Sequence, residues 1–160
     1  MNQKNIALKH GSTLFLKSAL LLIGLVVAFI CVYLIPLLVL SDAGYYRPVL
    51  LGLYVPAMPF FFALWQAYKL LHLIDKSTAF SRTSVQALKI IKRCAVSISA
   101  FFTAASPYLY YVAQQDDAPG VLLLGLIIIF ASMVISVFAA LLQRLLTDAI
   151  AMKTENDLTV

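Results

Sequence analysis

Four stretches of the chain contain no charged residue: Ser18 to Ser41, Pro48 to Tyr68, Cys94 to Gln115 and Ala118 to Gln143. Each is at least 21 residues long, and a helix needs about 20 residues to cross the hydrocarbon core of a bilayer. Lipid offers the backbone no hydrogen-bond partner, so runs of this kind are helical. The alternating ten-residue segments of a membrane barrel are missing from the pattern. The fold predicted is all-α: a four-transmembrane-helix antiparallel bundle forming a single integral membrane domain over residues 1–160. Its spans lie near 14–40, 48–73, 84–113 and 119–152, including cytoplasmic extensions of the last two. The third run is the least apolar of the four.

Composition agrees. Hydrophobic residues make up 62% of the chain and charged residues 12%, where soluble domains carry about 25% charge. The first run follows Lys4, Lys9 and Lys17 but is too long for a signal peptide and lacks a small-residue cleavage site; it reads as a retained anchor. Of the 12 Lys and Arg residues, only Arg47 falls between the first two spans, and none falls beside Asp116 and Asp117 between the last two. The other eleven flank the opposite ends, three before span one, six from Lys69 to Arg93, and Arg144 with Lys153. Basic residues resist translocation, so both termini are expected on the cytoplasmic side of the membrane. The net charge of +5 then belongs to the face that meets anionic lipid rather than to a nucleic-acid site. Cys31 and Cys94 fall at different depths, too far apart for a disulfide.

The two outer connections are tight and rich in turn-forming residues, which makes sequential helices antiparallel neighbours. The inner connection, Ser77-Thr78-Ala79-Phe80-Ser81, reads as a turn ahead of a helix capped by Ser81 or Thr83. Helices three and four are expected to continue past the bilayer into a small cytoplasmic platform. Small residues at spacing four, Ala95-Ser99-Thr103 and Ser132-Ser136-Ala140, predict close packing of helix three on helix four; a homo-oligomer through the same rows stays open.

Catalysis has little to work with. All seven acidic residues lie outside the uncharged runs, so there is no buried carboxylate of the sort ion relays use. His10 and His72 flank spans, and His72 reads as an interfacial side chain. No phosphate loop, zinc motif or nucleophile constellation is present. The expectation is a non-enzymatic protein with no catalytic residue, cofactor or metal site. Two readings apply to the outer half, where Pro36, Pro56, Pro59 and Pro107 sit at depths shared with Tyr33, Tyr54, Tyr108, Tyr110 and Tyr111. One is a splayed pocket for an amphipathic or lipid-like ligand, lined by Tyr33, Pro36, Tyr54, Pro56, Pro59, Pro107, Tyr108 and Tyr111. The other is an interfacial aromatic belt with tolerated prolines. The tail likewise reads either as a frayed helix end or as a short segment able to add to a partner.

Pro36, the Pro56 to Pro59-Phe60-Phe61 stretch, Ala79-Phe80-Ser81, the Leu88 to Ile91-Lys92 helix start and the closing Glu155-Asn156-Asp157-Leu158-Thr159-Val160 occur together in this order. In these marks the chain resembles, over nearly its whole length, a bacterial family of small four-helix membrane proteins of unknown function. Members are often encoded beside a small helix-turn-helix regulator of the Cro/CI type. The resemblance implies a membrane-bound regulatory protein that holds or releases such a regulator, without touching nucleic acid itself. Topology and the shared marks place the partner-binding surface at Phe80, Ser81, Lys89, Arg93, Glu155, Asn156, Asp157, Leu158, Thr159 and Val160. The alternatives are a small transporter, channel or tolerance factor for hydrophobic compounds, and a scaffold for another membrane complex.

Overall fold

A computed structural model describes residues 3–41 and 44–159, with side chains from residue 11 onward. Asp42, Ala43 and Val160, and the side chains of Lys4, Lys9 and His10, lie outside the described residues. Within them the chain forms four long antiparallel helical rods and no strand. The first is α1 (Gln3–Phe29), a π-helical turn (Ile30–Leu34) and α2 (Ile35–Leu40). The second is α3 (Arg47–Gly52) followed by α4 (Tyr54–Asp75), the third α5 (Arg82–Gln115) and the fourth α6 (Pro119–Leu158). A 3-10 turn, Gly44–Tyr46, precedes α3.

Among the described residues three stretches are long and apolar enough to cross a membrane: Gly11–Leu40, Gly44–Asp75 and Pro119–Leu158. Helix α5 is not apolar enough by composition, and its place in the bundle explains why. It packs against α4 on one side and most extensively against α6 on the other, while α1 touches mainly α4. Flanked on two sides, α5 buries Ser84, Ala87, Leu88, Cys94, Ala95, Ser99, Phe102, Leu109, Val112 and Ala113. A helix facing protein can carry Ser and Thr where one facing lipid needs Leu and Ile. Because it lies antiparallel between two apolar rods, α5 must traverse with them.

The seam between α5 and α6 repeats every seven residues. Leu88, Ala95, Phe102 and Leu109 are buried on α5, as are Gly125, Ser132 and Ala139 on α6. A Cβ on Gly125 would stand 2.7 Å from Leu109 Cδ1, which fixes the register. Continued along the antiparallel pair, that register sets Phe102 opposite Ser132 and Ala95 opposite Ala139. The sequence expectation named the right helices and the right Ala95, Ser99 and Ser132, but its spacing of four drifts off the seam. Thr103 is exposed and spends its hydroxyl on the Ser99 carbonyl at 2.8 Å. Steps of seven drift only about 20° around a helix, so they hold the contact along its length.

Helix α1 docks on α4 through the same period. Lys17 pairs with Asp75 and lies 5.9 Å from the centroid of the Tyr68 ring. Seven residues on, a Cβ at Gly24 would come within 2.6 Å of Leu64 Cδ2. Seven further, the Cys31 carbonyl accepts the Tyr54 hydroxyl at 2.7 Å.

Both helix ends that must turn without glycine use a left-handed residue. Ser77 (φ 57°) and Asp117 (φ 49°) occupy it after α4 and α5. Thr78 N–H then bonds the Leu73 carbonyl at 3.0 Å and Ala118 N–H the Ala113 carbonyl at 3.0 Å. These are the six-to-one bonds that satisfy orphan carbonyls at a helix C-terminus.

Candidate functional site

The prolines toward the end of the bundle away from both termini are accommodated in different ways. Pro36 follows the π-helical turn, where Ile35 N–H bonds back five residues to the Ile30 carbonyl. In that register the next donor, for the Cys31 carbonyl, would be the N–H that Pro36 lacks. The Tyr54 hydroxyl takes its place. Pro56 falls in the first turn of α4, after the interruption at Leu53, where a missing N–H costs nothing. Pro59 and Pro107 lie inside α4 and α5. Replacing Tyr54 with Phe is expected to cost about 1 kcal/mol in thermal unfolding in detergent. In a Pro36→Ala background, where position 36 regains its N–H, the same change should cost close to nothing. Additive costs in the double variant would break the link between the proline and the tyrosine.

The eight residues named for an outer pocket are divided among several places. Tyr33 is 65% exposed and stacks on Phe29 at 5.1 Å between ring centroids. Pro36 and Tyr54 serve the carbonyl repair between the first two rods. Pro56 is buried, while Pro107 is exposed. Tyr111 meets Tyr45 edge-on at 6.4 Å and lies 6.2 Å from Tyr108, whose hydroxyl donates to the Tyr45 carbonyl at 3.2 Å. The Tyr46 hydroxyl donates to Asp116 Oδ2 at 2.6 Å. Together these contacts lace the connection between rods one and two to the end of α5. Beside the cluster lies a small cavity of about 80 Å³, lined by Gly52, Leu53, Phe101, Phe102 and Tyr108 among others.

The opposite, basic end is built differently. Ser81 is extended (φ −133°, ψ 154°) and caps α5, its hydroxyl accepting Ser84 N–H at 3.4 Å. Of the two caps the sequence allowed, the chain uses Ser81. From Arg82 to Cys94, the first residue of the uncharged run, α5 extends about 18 Å. Helix α6 has 40 residues and a length of about 60 Å, against a hydrocarbon core of about 30 Å. Beyond Arg144 it continues about 20 Å. The two extensions lie side by side and leave a groove of about 580 Å³, lined by Val85, Gln86, Ile150 and Ala151, with Arg82 and Glu155 at its rim.

Of the ten residues proposed for partner contact, Glu155 borders this groove and Ser81 is the cap. Phe80 is 61% exposed, and Lys89, Arg93, Asn156, Asp157, Leu158 and Thr159 are exposed as well. Val160 lies outside the described residues. Sequence reasoning missed Gln86, Ile150 and Ala151. Their signal was the continuation of α6 past Arg144 with Ile150 and Ala151 on one side. Among the described residues no group of three or more His, Cys, Asp or Glu residues is placed to hold a metal ion.

Residues 38–160 match a family described as a protein of unknown function, DUF2975. An uncharacterized membrane protein, YoaS of Bacillus subtilis (strain 168), is 54% identical over 156 residues, covering 93% of this chain and 98% of the relative. No solved structure matches. The chain belongs to the DUF2975 family.

Proposed function

Proceeding from that membership, we propose that this protein is a non-enzymatic membrane regulator that holds a small helix-turn-helix DNA-binding protein at its basic end. The observation that carries the reading is the groove between the α5 and α6 extensions. It is apolar at its floor, it lies beyond the first charged residues of both helices, and it borders Glu155 of the tail. An open, largely apolar groove of this sort suits a partner's amphipathic helix, whose anchors at helical spacing seat between two rods. The eleven-to-one division of basic residues supports a cytoplasmic position for this end, where a DNA-binding protein resides. The resemblance supplies the partner's class. Holding the regulator at the membrane keeps it from DNA, and a signal releases it only by binding the empty and occupied forms with different affinity.

The test is co-purification of the regulator encoded beside the gene, from solubilised membranes. Wild-type protein should retain it. Ile150→Arg, which puts a cation on the groove floor, and removal of the last six residues should each lower retention at least tenfold, about 1.4 kcal/mol. Retention of no regulator by the intact protein would refute the reading. Equal retention by Ile150→Arg would move the contact away from the groove.

A further inference from the structure

We propose that α4 binds an anionic phospholipid at the basic end of the bundle, with its headgroup against Lys69 and His72 and an acyl chain in the cleft between α1 and α4. Two adjoining hollows carry the inference. The first, about 500 Å³, is lined by Trp65, Tyr68, Lys69 and His72. The second, about 220 Å³, is lined by Leu20, Leu21, Phe61 and Leu64, and shares Trp65 and Tyr68 with the first. One is aromatic and basic, the other largely apolar, and the shared pair makes them a single amphipathic site.

The residues follow the helix. Trp65, Lys69, His72 and Lys76 succeed one another at steps of four, three and four, which is one stripe of an α-helix, and all four are exposed. Trp65 is 68% exposed and lies near the end of the span, where indole and phenol rings favour the headgroup level. The carboxylate on the same helix, Asp75, is engaged by Lys17, so the headgroup hollow presents Lys69 and His72 with no carboxylate among its lining. A zwitterionic headgroup brings its own cation to such a place, and an anionic one does not. A cationic side chain near the membrane surface favours anionic lipid about five-fold. A free phosphate would fill the polar hollow and leave the cleft between α1 and α4 empty, which is why a lipid is the occupant.

Trp65 is the sole tryptophan in the chain and reports on its own site. The protein is placed in nanodiscs containing a minor fraction of lipid brominated near the carbonyl end of its acyl chains, either phosphatidylglycerol or phosphatidylcholine. Brominated phosphatidylglycerol should quench Trp65 at a several-fold lower fraction than brominated phosphatidylcholine. The preference should vanish in Lys69→Gln/His72→Gln, checked for helicity and monodispersity, and persist in Lys69→Arg and in Lys153→Gln, which removes the same charge elsewhere. Equal quenching of the wild type by the two lipids would overturn the proposal, whether or not the double variant folds. So would an equal loss in Lys153→Gln, which would mark general surface potential. Quenching by neither lipid would also overturn it, since a protein surface would then cover Trp65.

Discussion

Replacing Gly125 with leucine is expected to destabilise the protein by about 2–3 kcal/mol, measured as loss of helical signal and monodispersity on heating in detergent. A first added carbon would already stand 2.7 Å from Leu109 Cδ1, and Leu109 is itself buried in the α5–α6 seam. An isobutyl group there has nowhere to go except between the helices, so the widest interface of the bundle must open at its outer end. Gly125→Ala is the informative companion. The obstructing atom is the end of a leucine side chain, which can turn aside, and alanine gains about 1 kcal/mol in helix propensity over glycine. Its net change should be near zero. Equal stability of the leucine variant would mean that the seam is looser than its register implies.

The second large effect is expected at the pin that holds the first rod. Lys17→Asp alone, or Asp75→Lys alone, should each cost about 2–3 kcal/mol, because each sets like charges together where both side chains are only about one-fifth exposed (21% and 19%). The double reversal should recover more than half of that loss, the coupling that a double-mutant cycle isolates. The readout is thermal stability together with a cysteine crosslink engineered between α1 and α4, which should fade in the single variants and return in the double. Losses that simply add would mean that the pair contributes through other neighbours and not through its mutual attraction.

The sequence revealed most about what faces lipid and least about what faces protein. Lipid-facing residues obey a single rule, absence of charge, and the four runs follow it closely enough to place four rods. Helix α5 escapes the hydropathy criterion because α4 and α6 shield it: Ser99 is buried against neighbours rather than in lipid, and Thr103 spends its hydroxyl on the Ser99 carbonyl. The Lys17–Asp75 pair joins residues 58 positions apart, and no local pattern ties them. Yet Lys17, Gly24 and Cys31 stand seven apart, and that period was visible. The small residues at spacing four name the two helices that pack, but four residues overshoot a helical turn, and the seam follows steps of seven instead.

At the candidate site the same distinction holds. The marks at Phe80 and the tail lie at the basic end, beside the groove, and Ser81 serves α5 as its cap. The groove floor at Val85, Ile150 and Ala151 depends on two extensions meeting side by side, which is a property of the pair and not of either segment. In the outer half, Pro36 and Tyr54 were grouped for their depth. Their connection is a backbone carbonyl at Cys31, and no list of side chains contains it.

The order of packing has a consequence for how the protein is made. Each rod after the first has the one synthesised before it as a packing neighbour: α4 lies on α1, α5 on α4, α6 on α5. A chain leaving the ribosome can therefore settle each helix into the bilayer against a partner already present, without waiting for a distant segment. The most polar helix, α5, is the exception to comfort in lipid, and its widest contact comes from α6, which emerges last. Biogenesis should thus hold a vulnerable interval between the arrival of α5 and that of α6, and chains stopped there are the ones a membrane protease would meet.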